Sequence, residues 1–493
     1  MMRDAIVVGA GVNGLVAASY LAKAGHRVLV LERRSAEDGG PRTDEAVDVG
    51  WVPPRIIRDL ALALHGLEVR RPDPWIATPL PDGGRLELRQ DVEQSAAAIR
   101  RLSPADAAKW PEFCERMGRL ARILEALYVA PPPDLMSRDL GELLRLAGHG
   151  WRVRRLGTQG IVDLLRVLPM SVAELLDEWF ESDALKAVLG AAGVTHLCEG
   201  PRSGGTAFLL VHHHVGSAAG VFRPPVSNIG RVLDAHLTDG VVVRRGAEVV
   251  RVTAWEGRAT GVVLASGEEI AASLVVSSAD PKRTLLGLVD PAWLDPELVR
   301  AVRHIKCRGV SARVTLTLDR EPGFTTLAVA PSLEYLERAY DDAKYGRVSG
   351  RPYLEARAGD RASDGRHRVA VHVQYAPYRL AEGTWDVARR RALGDLVVES
   401  LSEHVPGLRE ATVSGEVLSP RDLEEAYGWS EGHAYQGELT LDQILFMRPV
   451  AGWARYRTPI RGLYLCGAGT HPGGGIAGAA GANAASVILR DGG

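Results

Sequence analysis

The stretch "AIVVGAGVNGLVAASYLAKAGHRVLVLE", residues 5 to 32, admits few folds. An apolar run from Ala5 to Val8 reads as a buried strand, and apolar residues at helical spacing follow the turn. A second apolar run then closes on Glu32. Gly9 allows the tight turn, Gly11 lets a pyrophosphate approach the backbone, and Gly14 lets helix and strand pack closely. The helix N-terminus offers unpaired N–H groups and the positive end of a dipole to phosphate. Glu32, placed to accept from ribose hydroxyls, favours a free 2′-hydroxyl and therefore FAD or NAD over NADP.

The same logic returns twice. In "GVVVRRGAEVVRVTAWEGRATGVVLASGEEIAASLVVSSADP", short β-branched runs alternate with the turns "WEGR" and "ASGEE". That pattern predicts a small antiparallel meander feeding a last buried strand, "SLVVSSA". Near the other end, "RGLYLCGAGTHPGGGIAGAAGANAASVIL" repeats strand, glycine turn and a helix of small residues from about Ile476. A chain of 493 residues is too long for one core. We therefore expect a discontinuous nucleotide domain from residues 1–65, 216–290 and 451–493, with 66–215 and 291–450 inserted as a second, substrate-binding domain. A glycine-rich strand-to-helix turn so late in the chain suits a cofactor larger than NAD.

Three stretches carry a resemblance that spans most of the chain: "VVGAGVNGLVAASYLAKAGHRVLVLERR", "GPRSGGTAFLLVHHHVG" and "GELTLDQILFMRPVAGWARYRTPIRGLYLCGAGTHPGGGIAGAAGANAA". The sequence resembles the FAD-dependent phytoene desaturase-related oxidoreductases, which include carotenoid isomerases and retinol saturases. Within them it is most similar to the pyridine nucleotide-disulfide oxidoreductase domain-containing branch, although it has no redox C-x-x-C. The resemblance implies an α/β fold: a Rossmann-like FAD-binding domain, discontinuous in sequence, with an inserted α+β substrate domain and helical lid. It implies FAD held by Gly9, Gly11, Val12, Asn13, Gly14, Glu32, Arg33, Gly40, Arg42, Val249, Gly467, Ala468, Gly475 and Ile476. His433, Tyr435 and Gln436 would lie in the pocket beside the flavin.

Three places depart from the family pattern. Gly39 and Gly40 fall one position late and are followed by Pro41 and Arg42, the latter a charge partner for phosphate. Pro224 and Pro225 stand where a glycine pair is usual, and Gln436 stands where relatives often carry histidine. The glycines at 473 to 475 are expected to bring backbone against the ribityl chain and ring of the flavin.

The remaining features narrow the partners. A formal charge of -2 gives no field for nucleic acid. Cys114, Cys198, Cys307 and Cys466 have neither dithiol nor zinc spacing. Adjacent helical side chains diverge by roughly 100°, so His212, His213 and His214 pack or line a pocket and hold no metal. No apolar run reaches the roughly 20 residues of a membrane helix. A cytoplasmic protein is expected, with peripheral membrane contact left open. Residues 172–193 read as one or two amphipathic helices capped by Ser171 or Ser182, and Asp442 with Arg448 as a salt bridge.

The expected chemistry moves a hydride between flavin N5 and an apolar, isoprenoid or carotenoid-like substrate, with oxygen or a quinone as acceptor. The alternatives are a flavin-dependent isomerase or saturase without net redox, and a non-enzymatic lipid carrier of the Rab GDP-dissociation inhibitor type. The cavity discriminates: a long apolar tunnel favours a polyene, and a short polar pocket favours a small amine or ring.

Overall fold

The structure is a computed structural model that describes residues 4–35, 50–132, 157–362 and 364–492. Gly39, Gly40, Pro41 and Arg42 lie outside the described residues.

Strand β1 (Ala5–Val8), helix α1 (Val12–Lys23) and strand β2 (Val28–Leu31) form one unit. They belong to a five-stranded parallel sheet in the order Leu463–Leu465, Leu274–Ser277, β1, β2, Val241–Arg244. All four residues of β1 are buried, as unbroken apolar runs must be when both faces of a parallel sheet are covered. Ala5 and Val7 face α1 and the helix Ala479–Arg490, while Ile6 and Val8 face the antiparallel meander Val249–Trp255, Arg258–Leu264, Glu269–Ala271. Gly481 brings the late helix onto α1: a Cβ there would stand 2.1 Å from the Asn13 carbonyl oxygen. That helix begins at Ala479 rather than near Ile476, because Gly478 adopts φ +76° and turns the chain first.

A seven-stranded sheet runs Thr412–Leu418, Ser311–Leu318, His367–Gln374, Tyr353–Arg361, Thr326–Val329, Ile76–Pro79, Arg85–Leu88. Its pairs are antiparallel except for one parallel bridge, Leu327 to Ala77. Period-two alternation separates its faces. Val314, Leu316, Val369, Val371, Val373, Leu354 and Ala356 pack with Leu393, Val397 and Leu401 of the helix Val387–Ser402. The opposite face carries the register row Arg313, His372, Glu355 and, beside it, Ser311, Gln374, Tyr353.

Helices fill the space between the sheets. Pro104–Tyr128 is capped by Ser103, whose hydroxyl accepts from the Asp106 N–H. The 172–193 stretch is two helices, Val172–Trp179 with a Ser171–Glu174 capping box and Asp183–Ala192. Their apolar faces join Thr206–His214 in the largest core cluster. Among the described residues no helix is long and apolar enough to cross a membrane.

Candidate cofactor and substrate site

The turn after β1 is shaped by collisions that only glycine avoids. Gly9 has φ +94°, and a Cβ there would lie 2.4 Å from Ser278 Oγ. A Cβ on Gly14 would lie 2.2 Å from the Gly9 carbonyl oxygen, so Gly14 serves close packing. Gly11 differs: its Cβ would meet nothing within 4 Å. Helix α1 starts there with no side-chain cap and no acidic residue in its first turn, which leaves its N–H groups directed at open space. Glu32 closes the far side, with Oε2 accepting from Ala10 N–H at 2.8 Å and Oε1 from Arg34 N–H at 3.0 Å.

Two adjoining cavities run along this turn. One, of about 180 Å³, is lined by Gly9, Gly11, Glu32, Arg33 and Val249. The other, of about 130 Å³, is lined by Gly11, Val12, Asn13, Gly467, Ala468, Gly475 and Ile476. They share Gly11, Ser278, Trp429 and Gln436 and so form one trough. An uncapped helix end, an open Cβ position and an acidic side chain in line along it fit a dinucleotide.

The glycines of the late turn face the chain's own side chains as well as the trough. A Cβ on Gly474 would stand 2.1 Å from the Tyr435 ring, and one on Gly473 would stand 2.7 Å from Leu439. Gly475, at φ +81°, accepts from the Trp51 N–H at 3.0 Å.

Gln436 ties two backbone segments: Nε2 donates to the Ser278 carbonyl at 3.1 Å and Oε1 accepts from Gly469 N–H at 3.0 Å. It lines the cofactor trough and not the chamber beyond, where only His433 and Tyr435 of the expected three appear. The expected Asp442–Arg448 bridge does not form. Asp442 pairs with Lys306 at 3.1 Å. Arg448 is fully buried and donates to the carbonyls of Tyr435, Gly437, Glu438, Gln443, Ala468 and Thr470. Six carbonyl dipoles replace the carboxylate, and burial still pulls the guanidinium down to about 10.

The third chamber, of about 90 Å³, meets the trough at Ala434 and Tyr435. The polar face of the seven-stranded sheet forms one wall, with Arg313, Glu355, Arg357 and His372. His196, His213, Arg223 and His433 line the remainder together with apolar side chains that include Trp75, Ile76, Val188, Phe222 and Val310. The sequence reading missed the sheet residues; the alternation in "SARVTLTL", "YLEAR" and "HRVAVHVQ" is the signal that groups them on one face.

Hydrogen bonds assign the imidazole protons. His213 Nδ1 donates to the Ala192 carbonyl at 2.7 Å, so its Nε2 accepts from the Tyr435 hydroxyl at 3.1 Å. His212 Nε2 donates to the Gly474 carbonyl at 2.8 Å and its Nδ1 accepts from the Tyr128 hydroxyl. His214 Nδ1 donates to Val221, so the three adjacent histidines have separate partners. Among the described residues no group of three or more His, Cys, Asp and Glu could hold a metal ion. Gln374 Nε2 donates to the Val194 and Leu197 carbonyls, which makes its Oε1 the acceptor from His372 Nε2 at 3.0 Å and leaves His372 Nδ1 a lone pair. Burial pushes His213 and His372 down to about 4 and His433 to about 3, so all three are neutral near pH 7.

Comparison with known proteins agrees with this geometry. The family described as flavin containing amine oxidoreductase matches residues 55–489, and an NAD(P)-binding Rossmann-like domain matches 7–48. The chain belongs to the flavin-containing amine oxidoreductase family. It is 32% identical to a Rattus norvegicus protein named pyridine nucleotide-disulfide oxidoreductase domain-containing protein 2, over 99% of this chain and 93% of that one. It is 26% identical to a phytoene desaturase (neurosporene-forming) of Cereibacter sphaeroides, over 97% and 92%. The crystal structure of an oxidoreductase from Methanosarcina mazei has the same fold, with a TM-score of 0.60 at 16% identity over 99% of this chain and 100% of that one. The protein is an FAD-dependent oxidoreductase. In the trough, Glu32 would hold the adenosine ribose and the α1 N-terminus the pyrophosphate, with Gly467 to Ile476 along the rest of the cofactor.

Proposed function

We propose that this enzyme oxidises a compact, polar substrate bound in the third chamber, in place of the long apolar chain that the family resemblance implies. The observation that carries this reading is the chamber: about 90 Å³, with three arginines, one glutamate and four histidines set among apolar side chains that include Trp75, Ile76, Phe222 and Val310. The space is smaller than either part of the cofactor trough, which favours a compact body over an extended chain. An extended hydrocarbon, such as the one named for the desaturase relative, would leave these charged groups desolvated against apolar surface.

FAD, when bound, supplies a two-electron acceptor. The chain supplies position and proton handling. Neutral His372 presents a free Nδ1 lone pair to the chamber, and Nδ1 of His196 has no hydrogen-bond partner. The His372 lone pair can take a proton from an N–H or O–H of the substrate as its C–H bond is oxidised. Tyr435, with its ring on Gly474 and its hydroxyl on His213, fixes the wall between trough and chamber.

Two measurements test the reading. A visible spectrum of the purified protein should show oxidised flavin bands; a colourless protein that cannot be reconstituted overturns it. Turnover should then be found among compact amines, amino acids or alcohols. Oxidation of a polyene with no activity on compact substrates would also overturn it.

A further inference from the structure

Gln374 ends the strand His367–Gln374, two residues beyond His372, and is completely buried. Its Nε2 donates to the carbonyls of Val194 at 2.7 Å and Leu197 at 2.9 Å. Its Oε1 accepts from the His196 N–H at 3.1 Å, the Ser311 hydroxyl at 3.0 Å and His372 Nε2 at 3.0 Å. A carbonyl only accepts and a backbone N–H only donates, so the amide has one orientation, and that orientation puts the His372 proton on Nε2.

The same amide closes a turn. Residues 194–197 are held at both ends by Nε2 and in the middle by Oε1. His196 there has φ +61°, a left-handed conformation that glycine adopts freely and a histidine keeps only where its surroundings over-determine it. What the histidine adds is its ring. The centroid lies 4.7 Å from that of His372, edge to face at 78°, and 4.9 Å from that of Tyr435.

Other groups around His372 act on its charge without choosing between its nitrogens. Arg313 and Glu355 stand opposite it on the two flanking strands, and His196, His213, Arg223 and Arg357 share the chamber. The three arginines disfavour an imidazolium and leave both tautomers equally neutral. Among the described residues the hydrogen bond to the His372 ring comes from Gln374.

We propose that Gln374 is the positioning residue of the chamber: it acts through His372, whose Nδ1 it keeps as the open acceptor, and through the 194–197 turn, which it closes so that His196 stands against that imidazole. The inference rests on the reading in which His372 takes the substrate's proton.

The test needs no substrate. Flavin-loaded enzyme carrying nitrogen-15 histidine is titrated by nuclear magnetic resonance, with His372 identified as the signal that His372→Gln removes. In wild type His372 should hold its proton on Nε2 and gain a second with a midpoint at about 4. Gln374→Met fills the space without a carbonyl and should give a mixture of both tautomers. Gln374→Glu should raise the midpoint by about one pH unit or more, because a carboxylate accepting from Nε2–H holds the imidazolium. His196→Gly, which a left-handed turn accommodates, should leave the proton on Nε2. A wild-type proton on Nδ1 overturns the proposal by itself. An unchanged tautomer in Gln374→Met or an unchanged midpoint in Gln374→Glu also overturns it, since a residue that only closes the turn gives those results. A tautomer that switches in His196→Gly overturns it by assigning the choice to the His196 ring. A protein that carries no flavin, or oxidises only polyenes, strikes the reading of the chamber instead.

Discussion

Replacing Arg448 separates two accounts of the loop that joins trough and chamber. Its guanidinium reaches six carbonyls and no carboxylate. Leaving a buried acceptor unpaired costs at least ~1 kcal/mol, so Arg448→Met forfeits roughly 6 kcal/mol. The same change removes a buried cation whose displacement to about 10 represents roughly 3 kcal/mol of desolvation. The net loss is about 3 kcal/mol. Arg448→Lys keeps the charge with three donors, leaves about three carbonyls unpaired and buries a more strongly hydrated cation. The nominally conservative change therefore loses about as much as Met from unpaired carbonyls alone, about 3 kcal/mol, and the desolvation of the more strongly hydrated ammonium makes it the more damaging one. Thermal melts of the flavin-loaded proteins, followed by circular dichroism and by flavin release, should rank wild type above Met and Met above Lys. At ~1 °C per kcal/mol for a chain of 493 residues, the Met variant should melt about 3 °C lower and Lys lower still. A Lys variant as stable as Met, or more so, would show that the number of carbonyls the guanidinium reaches does not set the stability of this loop.

Two further outcomes follow from the geometry. Gly11→Ala adds a methyl group where nothing stands within 4 Å and φ is ordinary, so its melting temperature without flavin should match wild type. Its FAD content after purification should fall about tenfold, and full retention would remove Gly11 from the phosphate path. The second outcome concerns pH. Burial holds His212 and His433 down to about 3 and His213, His372 and His471 to about 4, against an ordinary 6.5. The unfolded chain thus binds more protons than the folded one between pH 6.5 and about 4, and stability falls as pH drops through that window, by up to ~1.4 kcal/mol per unit for each histidine. Melting temperature should be level from pH 7 to 8 and drop steeply below 6.5; a level profile down to pH 5 contradicts the neutral assignment.

The parallel sheet was readable from unbroken apolar runs, because a strand covered on both faces leaves that mark directly. The late turn was equally plain from its glycines, though its helix begins at Ala479 because Gly478 adopts a left-handed conformation invisible in composition. Arg448 was misread because charge in a sequence suggests the nearest opposite charge, while carbonyl acceptors depend on how two loops meet. Gln436 shows the same limit: its bonds to the backbone of Ser278 and Gly469, and its positive φ of 54°, come from how those loops meet. The chamber arginines stayed hidden for another reason. Polar and apolar residues alternate in "SARVTLTL" as they do on any half-solvated sheet. Which face lies under the cofactor domain is decided by tertiary packing.

The parallel sheet also imposes an order on biosynthesis. The strand Leu274–Ser277 pairs with β1 on one side and with Leu463–Leu465 on the other, and Trp51 bonds to Gly475. Until residues beyond 460 have left the ribosome, Leu274–Ser277 presents an unpaired apolar edge and α1 lacks the helix that covers it. A nascent chain of some four hundred residues therefore has half of the phosphate cradle and no floor for the flavin, so cofactor loading is reserved for chains whose last sheet strand has been made. Capture of the cofactor then marks translation past that point, and chains stalled earlier present the open sheet edge that chaperones recognise.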